Sequence, residues 1–497
     1  MSTSERFPVL PPRHTTMPEA GKAGKAVWYN TGSPVQLLQH RRPTMRGSTL
    51  FPLLSLLFLL AACGDAAITS PDDTGSGPEP ELSLADSVRE LAAGRAVVPL
   101  AMPPPVRPEL SALGQALVFD KELSGNRDIS CMTCHLAGFA TGDGRHLAIG
   151  QGATGLGTAR IHPEGLFIPR NAPPLFNLHA LRHLFWDGRV EVDDLGSFRT
   201  PAADAITPEM ASVFEFGSIS ALGLFPVTSR EEMRAFGSVN ELAGIDDRDF
   251  QGIWAAIMNR LGAIPEYVAM FEAAYPGTAF EEMTFAHASN AMAGFFLDRL
   301  SFNDTPWDRF LAGSDNAMTE GQVRGAKVFM EIRCSICHNG ATFSDDEFHN
   351  VALAQFGPGQ GDGPLGNDDF GRQRVTGNPK DLYKFRTTPL RNVELTGPFG
   401  HAGQFIDLRA FIDHYNDSTK KLLEYDVSQL EPLLQGTLIP NQIQVLSTRD
   451  TIIDPVTFPD SITDRLMSFM SALTDERARN LSTIVPDRVP SGLPVDR

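Results

Sequence analysis

Two stretches of the sequence decide the fold: Cys131-Met132-Thr133-Cys134-His135 and Cys334-Ser335-Ile336-Cys337-His338. In each, two cysteines separated by two residues are followed directly by a histidine, which is the attachment signature of c-type haem. The two thiols bond to the porphyrin vinyl groups, and the adjacent imidazole becomes the proximal ligand of the iron. The sequence therefore predicts two covalently bound haems c.

The cysteine count supports this interpretation. The chain has five cysteines, and Cys63 is the one that lies outside the two motifs. A single pair of this spacing could also be a redox dithiol, part of a disulfide framework or part of a zinc site. Two copies, each followed by histidine, with no other cysteine pair, favour haem over these alternatives.

Length and charge limit the remaining choices. The chain has 497 residues, 42% of them hydrophobic and 21% charged, as is typical of globular proteins. This length exceeds what one hydrophobic core usually supports, so we expect two domains. The formal net charge of -18 argues against a nucleic-acid partner and favours partners with basic faces.

The sequence before the haem motifs contains an export signal. Met45-Arg46 precedes an apolar run from Leu50 to Leu60, which is followed by Ala61-Ala62-Cys63. Charged, apolar and small residues in this order are typical of a signal peptide, and the final cysteine resembles that of a bacterial lipoprotein. We expect residues 45–62 to be removed, Cys63 to carry a lipid, and the protein to be periplasmic and anchored to the outer membrane. A transmembrane helix would need ~20 apolar residues, more than this run provides.

The segments beside this signal carry no predicted domain. Residues 1–44 lack apolar periodicity, so we expect an N-terminal extension that is not genuine, with translation starting at Met45. Residues 63–105 contain Pro71-Asp72-Asp73-Thr74-Gly75-Ser76-Gly77-Pro78. Because this composition is typical of linkers, we expect a flexible tether between the lipid and the folded body.

A helix is predicted before each haem motif. Leu110 and Leu113 begin a helical spacing after Pro108, which is a favourable first residue of a helix. Thr319 and Gln322 match a capping box at the start of the second helix. The same unit therefore occurs twice.

This repetition predicts a mainly α protein made of two cytochrome c-like haem domains packed against each other, with long irregular loops. We place the first haem domain at residues 106–305 and the second haem domain at residues 306–485. Residues 486–497 are expected to form a C-terminal tail.

Three further stretches are Arg170-Asn171-Ala172-Pro173-Pro174, Phe185-Trp186-Asp187-Gly188-Arg189 and Thr388-Pro389-Leu390-Arg391-Asn392-Val393-Glu394-Leu395-Thr396-Gly397-Pro398-Phe399-Gly400-His401. Together with the haem motifs, they make the chain resemble the bacterial di-haem cytochrome c peroxidases and MauG over roughly residues 107–475. In that family the first haem reacts with peroxide and the second relays electrons. The resemblance therefore implies that His135 binds the peroxide-reacting iron and His338 the relay iron.

The resemblance also implies two features between the haems. Trp186 matches the tryptophan that lies between them, although a packed aromatic residue would equally explain it. Asn171 and the backbone carbonyls of Thr396 and Pro398 match an inter-haem calcium site, and calcium prefers such oxygen ligands.

The first haem is expected to lack a blocking ligand. Ile149-Gly150-Gln151-Gly152 matches a family loop whose histidine covers the iron until reductive activation. Because a glutamine amide is a poor iron ligand, the resemblance implies that Gln151 leaves this haem open to peroxide. His146 or His162 could substitute, although a loop histidine is more often solvated.

Peroxide cleavage needs a group that moves a proton between the two peroxide oxygens. The family uses a glutamate, and Glu209 in Pro208-Glu209-Met210 matches it, slightly later in the chain than the family pattern predicts. The alternative is a solvent-facing loop carboxylate. The family's companion glutamine is missing from Gly196–Arg199.

The far-side ligand of the second haem is a methionine in the usual peroxidases and a tyrosine in MauG. Counting along the family pattern from His401 gives Tyr415. Leu408 and Tyr415 share a helix face after an Asp407 N-cap, so we expect the phenol on the buried side. That pattern alone indicates a core tyrosine. With the resemblance, we expect Tyr415 to bind the iron and to lower its potential relative to methionine.

These features predict an oxidoreductase of the di-haem cytochrome-c peroxidase type. It would reduce hydrogen peroxide with electrons from a small periplasmic cytochrome c or cupredoxin. Gln151 and Tyr415 favour MauG-like oxidation of side chains in a partner protein as an alternative, although Met330–Arg333 lacks the tryptophan that MauG uses as a surface relay. A non-enzymatic electron carrier would need both irons six-coordinate. The sequence leaves open whether the chain forms a homodimer.

Overall fold

Short α-helices joined by long irregular segments make up the fold. The computed structural model describes residues 82–193, 196–237, 239–453 and 457–497, which belong to one compact unit. In chain order, the α-helices of these residues are α1 (Leu84–Gly94), α2 (Pro108–Phe119), α3 (Cys131–Cys134), α4 (Pro208–Ala211), α5 (Ser218–Leu222), α6 (Phe250–Gly262), α7 (Pro265–Ala274), α8 (Phe285–Arg299), α9 (Pro306–Leu311), α10 (Glu320–Glu331), α11 (Cys334–Cys337), α12 (Gln373–Thr376), α13 (Leu408–His414), α14 (Ser418–Leu423), α15 (Gln442–Ser447) and α16 (Asp460–Ala472). The prediction of a mainly helical fold is confirmed.

Short antiparallel strands supplement the helices. They are β1 (His183–Leu184), β2 (Val190–Val192), β3 (Phe198–Arg199), β4 (Phe348–His349) and β5 (Phe385–Arg386). One sheet has the order β1-β2-β3, and β4 pairs with β5. Both sheets lie near Trp186, since Trp186 follows β1 and its carbonyl oxygen accepts a hydrogen bond from the last residue of β5.

The first hydrophobic core forms where α2 crosses α8. Pro108 is the first residue of α2, as predicted, and Leu110, Leu113 and Leu117 are fully buried. A Cβ atom on Gly114 would lie 2.0 Å from the carbonyl oxygen of Ala291 on α8. The two backbones therefore pack so closely that only glycine fits at this crossing.

The second core repeats this arrangement with α10 and α16. The predicted capping box is present, because Thr319 and Gln322 each accept a hydrogen bond from the other's backbone N–H. A Cβ atom on Gly325 would lie 2.1 Å from the carbonyl oxygen of Arg465 on α16. Trp307 and Phe469 pack edge to face in this core, with their ring centroids 5.2 Å apart. The helix before each haem motif therefore crosses a later helix at a glycine.

The end of the chain packs on the first core. Leu481, Ile484 and Val489 are buried among its side chains, and the Ser491 hydroxyl donates a 2.6 Å hydrogen bond to Asp120. The proposed second domain and the C-terminal tail therefore both contribute to the first core. The division into two haem domains stays a prediction.

One part of the expected tether is folded. Ser83 caps α1 with its side chain, and Val88 and Ala92 are fully buried in the second core. The tether prediction for residues 63–105 is therefore wrong over α1. The physical reason is that Leu84, Val88 and Leu91 recur at helical spacing and give this segment an apolar face that the core covers.

The predicted signal peptide and Cys63 lie outside the described residues. Within the ranges that the structure describes, no helix is both long enough and apolar enough to span a bilayer.

Candidate active site

The first haem motif lies on α3, whose start is fixed by side chains. The Thr133 hydroxyl oxygen accepts a 2.8 Å hydrogen bond from the N–H of Ser130, as part of a capping box. His135 follows α3 directly, and its Nδ1 lies 2.8 Å from the carbonyl oxygen of Thr141. Because Nδ1–H donates this bond, Nε2 keeps its lone pair. Burial lowers the pKa of His135, which favours the neutral imidazole that binds iron.

The second motif repeats this geometry on α11. His338 Nδ1 lies 2.9 Å from the carbonyl oxygen of Phe343, so Nε2 is again the nitrogen left to bind a metal. Burial lowers the pKa of His338 as well. In both motifs, a backbone carbonyl a few residues downstream therefore orients the imidazole and fixes its tautomer.

Each motif faces a cavity. In both cavities, the two motif cysteines and the motif histidine are among the lining residues, and the four cysteines are unpaired thiols. The first cavity has a volume of about 770 Å³. Two thiols and one axial imidazole directed at a mostly apolar space fit a covalently attached haem.

Trp186 lines both cavities. It is 7% exposed, and its indole N–H donates a 2.8 Å hydrogen bond to the carbonyl oxygen of Asn171. The N–H of Arg386 donates a 2.9 Å bond to the Trp186 carbonyl oxygen. The indole is therefore held rigidly between the two candidate haem sites, where the resemblance predicted it.

A buried ion-pair network supports this region. The Arg170 guanidinium donates to Asp187 at 2.7 Å and to both carboxylate oxygens of Asp369, at 2.6 and 2.8 Å. Burial alone would raise the pKa of Asp187, but Arg170 and Arg189 outweigh it and hold that pKa well below its usual range. Asp187 directly follows Trp186, so the network also fixes the backbone that carries the indole.

Four carboxylates line the first cavity, namely Asp187, Glu231, Glu232 and Asp247. Asp187 is paired with Arg170, and Glu231 and Asp247 are exposed, which leaves the half-buried Glu232 as the candidate acid–base group.

Glu232 belongs to a single π-helical turn, Arg230–Arg234, and the Ser229 hydroxyl accepts a 3.2 Å hydrogen bond from the Glu232 N–H. The residue is half-buried, and burial of its carboxyl group raises its pKa. Arg189 opposes the rise, and Glu231 adds to it. Glu232 therefore shares a cavity with His135.

The structure places the predicted site residue Glu209 away from both haem cavities. It lies exposed on α4, and it does not line either haem cavity. Hydrogen bonds from its own N–H and from Thr207 lower its pKa, as is typical of a carboxylate in the first turn of a helix. The assignment of Glu209 as the proton-transfer residue is therefore corrected, and Glu232 takes its place in the cavity.

The wrong assignment of Glu209 has a physical cause in the chain between Trp186 and Glu232. Strands β2 and β3 and helices α4 and α5 occupy this stretch, so a residue count along the family pattern from Trp186 ends on α4 before it reaches the turn that carries Glu232. The sequence contained a signal for the correct residue, since Glu209-Met210 and Glu232-Met233 are the same dipeptide. Deciding between the two copies requires knowing how the intervening segment folds.

Gln151 lies beside the first cavity but does not line it. Its side-chain oxygen accepts a 2.6 Å hydrogen bond from Asn126, and its backbone N–H donates a 3.0 Å bond to the carbonyl oxygen of Glu232. Gln151 was predicted as a catalytic position because it replaces a blocking histidine. The structure instead gives its backbone a role in holding Glu232.

The two alternative blocking residues also lie outside the first cavity lining. His146 is buried beside Phe356, and its Nδ1 lies 3.7 Å from a carboxylate oxygen of Glu431. His162 Nδ1 accepts a hydrogen bond from the N–H of Glu164. Neither histidine is placed to cover the first haem site.

Tyr415 lines the second cavity together with His338. The predicted N-cap is present, because the Asp407 side chain accepts a hydrogen bond from the N–H of Ala410, and Tyr415 directly follows α13. Burial raises the pKa of Tyr415, and the neighbouring Cys337 and Cys334 add to the rise. The structure thus brings the predicted far-side tyrosine to the same cavity as the predicted proximal histidine.

The predicted calcium residues lie on neighbouring segments. The Asn171 N–H donates a 2.9 Å hydrogen bond to the carbonyl oxygen of His401, which lies shortly after Thr396 and Pro398. The Asn171 amide nitrogen donates to the carbonyl oxygen of Arg145 at 2.8 Å, so the side-chain oxygen is left to accept or to bind a cation. A calcium ion at this position stays a prediction.

Comparison with known proteins places this architecture among di-haem enzymes. A family model described as di-haem cytochrome c peroxidase matches residues 108–316. Cytochrome c551 peroxidase of Pseudomonas aeruginosa is 30% identical over 365 residues, which cover 73% of this chain and 84% of that protein. The methylamine utilization protein MauG of Methylorubrum extorquens is 29% identical over 379 residues, which cover 75% of this chain and 87% of that protein.

Solved structures agree with these matches. A MauG-like protein associated with microbial copper homeostasis superposes with a TM-score of 0.52 at 25% identity, over 76% of this chain and 94% of that structure. The di-haem peroxidase BthA of Burkholderia thailandensis gives a TM-score of 0.51 at 20% identity, over 77% of this chain and 93% of that structure. At that identity the second likeness shows the fold alone.

The matches define an oxidoreductase with two c-type haems and di-haem peroxidase activity, as the sequence predicted. The chain belongs to the bacterial family of di-haem cytochrome c peroxidases and MauG. That membership implies that the protein uses hydrogen peroxide together with a redox partner or a protein substrate.

Proposed function

We propose that this protein reduces hydrogen peroxide at the first cavity with electrons from a small periplasmic cytochrome c or cupredoxin. The observation that carries the proposal is that Glu232 and His135 line one cavity and that Trp186 joins it to the second. An acid–base group, a metal-binding imidazole and a route for electrons are the parts that peroxide reduction requires.

Haem attached at the two motifs supplies the redox chemistry. His135 and His338 would hold the two irons, and the motif cysteines would hold the two porphyrins. In the reaction, the oxygen–oxygen bond of peroxide breaks, and two electrons from the donor with two protons from solvent yield two waters. Glu232 accepts the proton of one peroxide oxygen and returns it to the other, so that a neutral water leaves.

Trp186 connects the two ends of this reaction. Its indole lines both cavities, and an aromatic ring between two redox centres shortens the distance that an electron crosses through insulating protein. Trp186 would therefore carry electrons from a haem held at His338 to a haem held at His135. The hydrogen bond from the indole to Asn171 keeps the ring in this position.

MauG-like oxidation of a partner protein is the second candidate, and Tyr415 favours it. A phenol oxygen is a hard donor that stabilises oxidised iron better than a thioether does. With Tyr415 as far-side ligand, the second haem would be a poor acceptor for a weakly reducing donor and better suited to withdrawing electrons from side chains. In that reaction the partner protein loses the two electrons that peroxide gains.

Steady-state turnover separates the two candidates. The holoprotein is mixed with peroxide and a panel of reduced small cytochromes and cupredoxins, and donor oxidation is followed at several donor concentrations. Saturable oxidation with at least one donor supports the peroxidase. Peroxide consumption without oxidation of any small donor contradicts it and leaves the MauG-like reaction, in which oxidised side chains are sought by mass spectrometry.

We also propose that Asn171, Thr396 and Pro398 hold a calcium ion between the two haem sites. The free side-chain oxygen of Asn171 and two backbone carbonyls are hard oxygen donors of the kind that calcium binds. Metal analysis of the purified holoprotein tests this directly. Absence of calcium after dialysis against calcium-containing buffer contradicts it.

We propose a periplasmic location, with a lipid on Cys63 that anchors the protein to the outer membrane. Haem c in this family and the Leu60-Ala61-Ala62-Cys63 stretch support the same compartment. Membrane fractionation of cells that express the full chain and a Cys63→Ser variant tests the anchor. The proposal requires the variant to leave the membrane fraction.

A further inference from the structure

Arg386 occupies a special position between the two candidate haem sites. It lines both cavities, and it is 7% exposed. Its place is set by β5, where it pairs with Phe348 of β4, and by the hydrogen bond from its N–H to the Trp186 carbonyl oxygen. The guanidinium is therefore built into the wall that separates the two cavities.

The guanidinium lacks the partners that such a group needs. Its Nη1 is buried and has no hydrogen-bond partner among the described residues, and its Nε reaches the carbonyl oxygen of Phe185 at 3.4 Å, the outer limit of a hydrogen bond. Burial lowers the pKa of Arg386, and Asp346 opposes this effect. Asp346 is the nearest candidate partner, but no hydrogen bond or ion pair joins it to Arg386: its Oδ2 accepts the N–H groups of Arg182 and His183, and its Oδ1 is buried without a hydrogen-bond partner.

Neighbouring arginines show what this structure does with buried guanidinium groups. Arg170 is paired with two carboxylates, Arg372 donates to Glu191 at 2.8 Å, and Arg391 makes two hydrogen bonds to Asp308, at 2.7 and 2.8 Å. Because an unpaired buried charge is strongly destabilising, the unpaired Arg386 guanidinium indicates a missing anion. Arginine prefers a planar carboxylate or a phosphate as that partner.

We propose that Arg386 binds a propionate carboxylate of a haem attached at one of the two motifs. The inference rests on the proposed haem sites, because Arg386 lines both cavities in which the haems would lie. Haem brings carboxylates of the required charge into each cavity. Both haems offer the same chemistry, so the experiment must identify which of the two Arg386 contacts.

Such a contact would act on the redox potential. A fixed positive charge near a haem favours the reduced iron, and a bound propionate loses part of its own negative field. Arg386 would thereby raise the potential of the haem that it contacts. It would be a positioning and tuning residue, since it touches the cofactor's edge and not the reacting atoms.

The test compares holoprotein variants without peroxide or donor. Arg386→Gln removes the charge, and Arg386→Lys keeps it but loses the planar fork. Arg199→Gln is the matched control, because Arg199 lies on the neighbouring sheet, is 57% exposed and pairs with Glu191. Redox titration gives both midpoint potentials, and resonance Raman spectra give the propionate bending modes of each haem.

We expect Arg386→Gln to lower the potential of one haem and to shift its propionate mode, while Arg199→Gln changes neither. Arg386→Lys should keep most of the potential and still shift the mode. The haem that changes identifies the propionate. Unchanged modes in both Arg386 variants overturn the contact, even if both potentials shift together through the lost charge.

The contact between Arg386 and a propionate can still be tested if one variant fails to fold or if the protein shows no turnover. Arg386→Lys preserves the charge, so its Raman modes alone decide whether the contact exists when Arg386→Gln cannot be purified. Potentials and modes require no peroxidase activity, so their result is independent of the turnover assay. A protein that oxidises no donor but shows the shifted mode would refute the proposed function and keep this inference.

Discussion

The backbone N–H of Gln151 donates a 3.0 Å hydrogen bond to the carbonyl oxygen of Glu232, which joins the loop after the first haem motif to the turn that carries Glu232. A Cβ atom on Gly150 would lie 1.8 Å from the carbonyl oxygen of Glu231, so the two segments touch backbone to backbone. Gly152 N–H and Asp128 make a further 2.6 Å bond. The loop is therefore fixed in the position that leaves the first cavity open.

Because of this hydrogen bond, we predict that a histidine introduced at position 151 does not cover the iron of the first haem. In Gln151→His the new imidazole should replace the glutamine side chain beside Asn126 and should not reach the iron, because the backbone on both sides is held. We expect the oxidised protein to keep a high-spin first haem, read from its visible and electron paramagnetic resonance spectra. A low-spin first haem that appears in Gln151→His but not in Gln151→Asn would contradict this.

The two glutamate–methionine pairs provide an internal control for the proton-transfer residue. Glu232→Gln should lower kcat with peroxide on the order of 10²- to 10⁴-fold, since this is what a positioned acid–base group contributes. Glu209→Gln, an identical change on exposed α4, should leave kcat unchanged. Stopped-flow mixing with peroxide measures both. Loss of activity in the α4 variant, with the cavity variant active, would reverse the assignment.

The pH dependence of turnover should report the environment of Glu232. Burial raises its pKa above the ordinary 4.5, and the residue must be a carboxylate to accept the peroxide proton. Activity is therefore present above this pKa and is lost as the pH falls through it, so the acid limb of kcat/KM should lie above pH 4.5.

Two neighbours of Glu232 should move this acid limb in opposite directions. Arg189 lowers the pKa of Glu232, and Glu231 raises it. Arg189→Gln should therefore shift the limb to higher pH, and Glu231→Gln should shift it to lower pH. The kcat/KM profile of each variant is compared with that of the unchanged protein. A limb that moves the same way in both variants would assign it to another group.

The parts of the fold that follow local rules could be predicted from the sequence. Pro108 at the start of α2, the Thr319 capping box and the Asp407 N-cap of α13 depend on a few consecutive residues, and all three are present. The haem motifs are equally local. The residue count from His401 led to the correct position of Tyr415, because no helix or strand lies between His401 and α13.

The parts that depend on long-range packing could not be predicted. Glu232 was missed because the chain after Trp186 folds into strands and a helix whose length a family pattern does not give. The folding of α1 depends on a distant core that covers Val88. The unpaired guanidinium of Arg386 is visible only once the positions of the surrounding carboxylates are known.

The C-terminal end should stabilise the first haem motif. Asp496 is 7% exposed, lies 2.6 Å from Lys121 Nζ and accepts a hydrogen bond from the Thr133 hydroxyl, within α3. Removing one partner of a buried pair leaves the other uncompensated, so Asp496→Ala should lower the free energy of unfolding by about 3 kcal/mol. Asp487→Ala, at an exposed position, should cost less than about 0.5 kcal/mol. Denaturant unfolding of the holoprotein measures both, and equal losses would refute the role of Asp496.

The last prediction concerns the far-side ligand of the second haem. Tyr415 and His338 line the same cavity, so the phenol oxygen and the imidazole nitrogen would be the two protein ligands that hold the iron of the second haem. Tyr415→Met should introduce the near-infrared methionine-to-iron charge-transfer band and raise the potential of this haem, because a thioether stabilises the reduced iron. Tyr415→Phe, which removes only the hydroxyl, should give neither effect and should leave a far-side position open to added imidazole. If the unchanged protein already shows the methionine band, or if Tyr415→Phe leaves the low-spin spectrum intact, another residue closes the second haem and the argument for a MauG-like reaction loses its support.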